Sequence, residues 1–309
     1  MTKKNKPKNT MEICTNTDNW VVMGNSLLKG KTALSYNQAK LLRLVIMQVK
    51  IDDDEIGAYY IKAKELAELL NCDETNYTRD IQKLCYDLAE KTVKIATYNP
   101  KKPWKVMPWI GYIEYTEKAE IIIQLNQWLS PYLLGLKASG KYTQYVLECI
   151  LSMNSIYAIR LYELLKMKLP NTGMPSGGIE VRLTNEEIRQ ATEAENLYKK
   201  NSDFKKNILD VATKEISEKS DFKVTYEQKK VHGRSFDTVA FLCKSLWDNG
   251  KELPIVNLCK ARLVTMNSLR VEQGKKPLGM YNEVVGDIKF DSIEEFDMFL
   301  LDYISEREK

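Results

Sequence analysis

A pattern that narrows the possible folds more than any other feature occurs twice in this chain. It consists of a helix-start signal, short amphipathic helices separated by a turn, and strand-like segments joined by a basic turn. In the first copy Ser35 and Gln38 form a capping box, in which side chain and backbone satisfy each other's free N–H groups. Leu41, Leu42, Val45, Ile46 and Val49 then follow at helical spacing. After an acidic turn at 52–55 and an extended piece at 58–61, a helix is expected over 62–70, carrying Leu66, Leu69 and Leu70. A second is expected over 75–90, with Tyr77, Ile81, Leu84, Cys85 and Leu88 on one face. Residues 71–74 supply the turn and a cap. Strand-like segments at 93–98 and 106–115 are separated by a stretch holding Pro100 and Pro103, and a third strand is expected at 119–125.

The order returns without obvious sequence identity. A long helical stretch is expected over 141–168, ending before Pro170 and a Gly/Pro/Ser loop at 172–178. A strand at 179–183 leads into the capping box of Thr184 and Glu187, with Leu183 and Ile188 at hydrophobic-staple positions. A helix over 201–217 places Phe204, Ile208, Ala212 and Ile216 on one face, and strands at 222–228 and 235–242 flank a basic turn. Helix, helix, turn, helix, hairpin is the order of a winged-helix domain. The expected class is therefore α+β: two tandem winged-helix domains, each a helix-turn-helix plus β-hairpin wing, with a small C-terminal helical extension. Residues 1–19 are polar and aperiodic and read as a disordered basic tail. The domains are expected at 20–139 and 140–248. The extension, 249–309, holds a basic helical stretch at 257–271, a turn at 274–277 and an acidic last helix capped by Ser292 with Glu295.

Composition excludes more than it selects. The net charge of +4 is unevenly spread, because residues 283–309 hold nine acidic and three basic side chains, leaving a basic body. A single histidine, His232, leaves no His-pair metal chemistry and no support for a Ser-His-Asp system. The six cysteines contain no CxxC pair, so neither a disulfide framework nor a zinc site is indicated. Gly24 to Thr32 imitates a phosphate-binding loop, but five residues separate Gly24 from Gly30 where that loop has four. No cofactor and no enzymatic activity are expected. Apolar runs are too short to cross a bilayer and the N-terminal lysines precede no apolar stretch, so a cytoplasmic location with no membrane partner is expected.

The chemistry that remains is DNA recognition. On the first recognition helix, Asn76, Arg79 and Lys83 lie off the buried face, with Asp80 among them. On the second, Asn201, Ser202, Lys205 and Lys206 do so, preceded by Lys199 and Lys200. Arg and Lys can address guanine, Asn can address adenine, and helix N-terminal N–H groups hold phosphate. The hairpin tips add Lys101, Lys102 and Lys105, with Trp104 among them, and Lys229, Lys230, His232 and Arg234, placed for flanking phosphate or the minor groove. Each lysine alone reads equally well as a solvated surface residue. Their return at the same end of corresponding helices favours a shared role.

The string Tyr157-Ala158-Ile159-Arg160-Leu161-Tyr162-Glu163-Leu164-Leu165 resembles the helix that opens the second winged-helix domain of plasmid initiator replication proteins of the iteron-binding type. Residues 141–145, 34–49 with Asn25 and Leu27, and 204–216 fit the same pattern, and the resemblance covers about 20–245. It implies binding of repeated origin DNA as monomers, one winged helix per half-site, with opening of an adjacent AT-rich segment. It further implies a monomer–dimer equilibrium, repression of the protein's own promoter and no catalytic site, with the host initiator, helicase or primase as partners. A winged-helix transcriptional repressor without replication activity is the alternative reading. Tandem direct repeats beside the gene would favour the first, a single palindrome the second.

Overall fold

The computed structural model describes residues 10–16, 19–50, 53–72, 76–95, 103–136, 141–170, 174, 177–231, 233 and 236–245, and a set of positions from 263 to 307. The chain divides into two compact units, 1–246 and 247–309.

Order begins earlier than the sequence suggests. Within the expected tail, Thr10–Glu12 forms β1, which pairs in parallel with β3 (Ala58–Lys62), Thr10 opposite Ala58. The segment is held because the Gln48 side-chain amide exchanges hydrogen bonds with the Cys14 backbone at 2.9 and 3.1 Å, and because Ile13 is buried. β2 (Trp20–Gly24) and α1 (Asn25–Leu28) follow. α2 (Tyr36–Gln48) starts at the Ser35 capping box, and residues 38–46 are all buried. A helix covered on all sides is a core element, so α2 is the axis of the first lobe. α3 (Ala63–Leu69) and α4 (Tyr77–Ala89) pack on each other, α4 through Ile81, Cys85 and Leu88.

The strand expected at 106–115 is two strands in different sheets. β4 (Thr92–Ile95) and β5 (Lys105–Pro108) form a two-stranded sheet of their own. β6 (Ile110–Tyr115) and β7 (Glu120–Leu125) instead join a four-stranded sheet of order β1-β3-β7-β6. The break falls at Pro108, which has no N–H to donate to a ladder, and at Trp109, which is buried. Trp109 turns its own N–H to the Lys91 carbonyl and accepts from Asn126 N–H.

A second correction concerns the long helix expected over 141–168. Its first part is a strand, β8 (Tyr142–Val146), antiparallel to β2 with Gly24 opposite Tyr142 and Trp20 opposite Val146. The expected boundary at 139–140 therefore separates two strands that pair. Only α5 (Glu148–Leu151) and α6 (Ile156–Lys168) are helical. The remainder follows the expected order. β9 (Ile179–Thr184) runs into α7 (Asn185–Ala191) through the Thr184–Glu187 capping box. α8 runs through residues 201–219, with a π-turn at Lys205–Leu209. β10 (Phe222–Lys229) and β11 (Thr238–Ser245) complete a sheet of order β10-β11-β9.

In the last unit, α9 (Ile293–Arg307) buries Phe296 and Leu300 with Leu263, Leu278, Val284, Val285 and Phe290. Ser292, the expected cap, lies outside the described residues, as do most of 257–271.

The two winged helices share a buried ion cluster. Arg43 of α2 forms a two-point pair with Glu163 of α6, Nε to Oε1 at 2.9 Å and Nη2 to Oε2 at 3.0 Å. The side chains are 1% and 0% exposed. Tyr145 OH donates to Glu163 Oε1 at 2.6 Å, and Arg160 Nη1 lies 3.6 Å from Oε2. Arg160 also donates to the carbonyls of Leu28, Gly30 and Ala191 at 2.8–2.9 Å. Burial pushes the Glu163 carboxyl up, and Arg43, followed by Arg160, outweighs it and holds the group below its usual range. Removing one partner of such a pair strands the other in a dry interior. Glu163→Gln is expected to lower the unfolding free energy by about 3–5 kcal/mol in a urea titration. The linkage sign follows from the lowered value. The carboxylate's contribution is complete above the ordinary carboxylate range and is lost as pH falls through its folded-state value. Wild-type stability should therefore fall more steeply on acidification than that of Glu163→Gln, and parallel acid limbs would refute the role given to this carboxylate.

Candidate nucleic-acid interface

The face of α4 opposite its buried side exposes Thr78, Arg79, Gln82, Lys83 and Tyr86. Arg79, Gln82, Lys83 and Tyr86 are spaced by three and four residues and so form one stripe. Tyr86 is 71% exposed. Gln82 and Tyr86 escape a reading based on charge at the N-terminal end, although their spacing from Arg79 places them on the same face. Arg79 Nε donates to Asp80 Oδ1 at 3.1 Å, an exposed pair that contributes little and yields readily to a phosphate or base. Asn76 is the exposed N-cap residue of α4, and its side chain makes no capping bond.

In the second lobe, the turn from α7 to α8 is built around Arg189. Its guanidinium donates to the carbonyls of Ala194, Leu197 and Tyr198 at 3.2, 2.5 and 2.7 Å and lies 4.3 Å from the Phe204 ring centroid. Lys199, Lys200, Ser202, Lys205 and Lys206 are all exposed at the start of α8. Their situations differ. Lys205 holds both oxygens of Asp210, at 3.0 and 2.9 Å, and lies near the Tyr226 ring. The hydrogen bond to Asp210, followed by the one to Tyr226, raises its hold on its proton. Among the described residues no carboxylate engages Lys206. Asn201 and Gln228 exchange amide hydrogen bonds at 3.2 and 2.9 Å, fastening the start of α8 to wing strand β10.

The two wings are not equivalent. In the second lobe the turn from β10 to β11 carries Lys230, whose ammonium lies 4.8 Å from the Phe236 ring centroid. Lys229 ends β10 within 4 Å of carboxylates of Glu180 and Glu227. His232 and Arg234 lie outside the described residues. In the first lobe the turn that corresponds in sheet topology is the one from β6 to β7, with one exposed acid and one exposed base, Glu117 and Lys118. The lysine-bearing segment expected to form this wing belongs instead to the separate β4–β5 hairpin. Lys105 is exposed in β5, while Lys101 and Lys102 lie outside the described residues.

The apparent phosphate loop is a joint. Lys31 pairs with Glu195, and Glu193 accepts from the Thr32 N–H and hydroxyl and from the Ala33 N–H at 2.7–2.9 Å. A Cβ at Gly30 would meet Val93 Cγ2 at 2.5 Å, so this glycine serves close packing. Burial pushes the thiols of Cys85, Cys149 and Cys243 up to about 12, which suits core packing and not nucleophilic chemistry. Among the described residues no cluster of metal-ligating side chains occurs, and no helix is long and apolar enough to cross a membrane.

Comparison with known proteins agrees with this architecture. Residues 20–166 match the family described as Initiator Replication protein, WH1, and residues 184–243 match Initiator Rep protein, WH2. A replication initiation protein of Escherichia coli is 27% identical over 179 residues, 57% of this chain and 53% of the relative. The match thus spans about half the length of that relative. A crystal structure of Pi initiator protein in complex with iteron DNA superposes with a TM-score of 0.62 at 18% identity, covering 75% of this chain and 99% of that one.

Arg189→Met keeps the length of the side chain but removes the donors to three carbonyls. It is expected to cost about 1–3 kcal/mol and to speed amide exchange selectively in residues 194–204. Uniform exchange across the second lobe would show that the turn does not depend on this guanidinium.

Proposed function

The chain belongs to the initiator replication proteins with two winged-helix domains, and on that premise we propose that it binds repeated origin DNA sequence-specifically and starts plasmid replication. The observation that carries this reading is the exposed stripe on α4, together with the basic start of α8, the corresponding helix of the second winged helix. Arg79, Gln82, Lys83 and Tyr86 read bases in one major-groove segment, and Ser202 and Lys206 do so in the next, with Lys205 exchanging Asp210 for DNA. Lys199, Lys200, Lys229 and Lys230 contact phosphate, as do Lys101, Lys102, Lys105, His232 and Arg234. Opening of adjacent AT-rich DNA, recruitment of a host initiator, helicase or primase, and a monomer–dimer equilibrium in the cytoplasm complete the proposal. The chain itself supplies no catalytic step. That a Pi initiator of the same fold is seen on iteron DNA supports the reading.

Selection of the purified protein on a random duplex library at near-physiological salt tests it. One extended motif spanning two adjacent major-groove segments is expected. On that motif Arg79→Ala and Lys206→Ala should each cost about 1–3 kcal/mol and relax selectivity at separate positions, whereas Lys230→Ala should weaken all sequences alike and reduce the salt slope by about 1. Absence of any enriched motif, with binding that vanishes as salt rises, would refute sequence-specific recognition.

A further inference from the structure

Phe204, Ile208, Ala212 and Ile216 of α8 are all buried, each four residues from the last. In an unbroken α-helix a step of four overshoots one turn by about 40°, so three steps would carry the stripe about 120° round the axis. The π-turn at Lys205–Leu209 removes most of that drift. There the Asp210 N–H donates to the Lys205 carbonyl, five residues back. The one residue taken up returns about 100°, which keeps the stripe against the core. Asp210 also closes this turn with its side chain. Its carboxylate oxygens hold the Lys205 ammonium at 3.0 and 2.9 Å, and Oδ1 accepts from the Tyr226 hydroxyl at 2.5 Å. Tyr226 lies on β10, on the same face as buried Phe222 and Val224 and half-buried Gln228. Asn201 and Gln228 are joined by their amides. The first half of α8 is thus tied to the wing strand at two points, at Asn201 before Ser202, Lys205 and Lys206 and at Asp210 after them.

We propose that Asp210 is a positioning residue for base reading by the second winged helix. Without touching DNA, its carboxylate locks the π-turn to the wing through Lys205 and Tyr226, and so sets the angle at which Ser202 and Lys206 are offered to base edges. The inference deepens the origin-binding reading and rests on it. Hydrogen bonds to base edges weaken steeply with misalignment, whereas attraction to phosphate carries no sequence information and little angular demand. Loosening the clamp therefore damages selectivity more than affinity. A carboxylate beside a DNA-facing helix repels the phosphate backbone, a cost that a positioning role offsets. The clamp also outlasts the transfer of Lys205 to DNA, because the Tyr226 hydroxyl still satisfies the carboxylate. Burial pushes the Asp210 carboxyl up, and the hydrogen bonds from Tyr226 and then Lys205 outweigh it and hold the group below its usual range.

The test compares full-length wild type with Asp210→Ala, Asp210→Asn and Tyr226→Phe. Each is titrated against the selected duplex, single-base variants of that duplex and an unrelated duplex. Asp210→Ala is expected to lose about five-fold or more of its discrimination at the base pairs that Lys206→Ala also relaxes, and none at those that depend on Arg79. Its affinity for the unrelated duplex should hold or rise, because a negative charge has left the DNA-facing surface, whereas simple unfolding would lower every affinity. Asp210→Asn keeps an acceptor for the Tyr226 hydroxyl and should recover most of the discrimination. Tyr226→Phe keeps its ring beside Phe241, 6.1 Å away between centroids, and should lose discrimination at the same base pairs while unfolding at an unchanged temperature. Undiminished discrimination in both Asp210→Ala and Tyr226→Phe would overturn the proposal, as would a loss spread evenly over both segments of the motif. A wild type that selects no motif would remove the origin-binding reading and this proposal together, whereas a motif that the variants read as sharply as wild type would remove this proposal alone.

Discussion

The pairing of Arg43 with Glu163, out of contact with water, brings together one buried helix of each winged helix, α2 and α6. It sets those two helices in one relation within the first 246 residues. Taking both ions out of solvent costs several kcal/mol each, which the two-point geometry, the Tyr145 hydroxyl and Arg160 offset. The consequence is directional more than energetic. Hydrophobic contacts tolerate sliding, whereas a buried carboxylate with three partners is satisfied in one arrangement only. Arg160 extends that arrangement, since its remaining donors fix the Leu28 and Gly30 carbonyls on one side and the end of α7 on the other. Two lobes that could pivot as beads on a string are joined instead at a set relation, reinforced where Glu193 and Glu195 grip residues 31–33.

This joint explains what was legible in the sequence and what was not. Helix starts are local events, and both capping boxes form as Ser35/Gln38 and Thr184/Glu187 foretell. The string from Tyr157 to Leu165 reads as an amphipathic helix, yet it is buried nearly all round because Arg160 and Glu163 point inward to each other and to Arg43. Charge normally marks a solvated face, and only the partner 120 residues away in the chain reverses that meaning. The strand at 142–146 was hidden for a related reason. Its inward positions are Thr143 and Tyr145, and a buried threonine spoils the apolar alternation until its hydroxyl is seen donating to Asn25 Oδ1 at 2.7 Å. β1 has three residues and no alternation to detect, and its place depends on Gln48 far along the chain.

The exposed face of the proposed recognition helices was legible in part for the opposite reason, since exposed helix faces follow from periodicity. Arg79 and Lys83 stand where the spacing puts them, and Gln82 and Tyr86 lie beside them. The wings were not legible, because the repeated order of elements conceals an insertion. In the second lobe the hairpin after the recognition helix supplies two strands of the sheet. In the first, a separate hairpin intervenes and the sheet waits for β6 and β7. One continuous apolar run, 106–115, serves both, and Pro108 with Trp109 divides it.

Engagement of a cation by its own protein does not remove it from the interface. Lys205 is 50% exposed and its pair with Asp210 lies at the surface, where such pairs contribute about 0–1 kcal/mol. Counterion release from a duplex backbone can match that contribution. Under the proposed function the pair fixes where the ammonium waits before DNA arrives, which limits the side-chain entropy lost when it binds. Arg79 with Asp80 does the same on α4. Both proposed recognition helices thus carry a lightly held cation toward their N-terminal end, where helix N–H groups already favour an anion, and the buried joint between α2 and α6 fixes the relation of the lobes that present them.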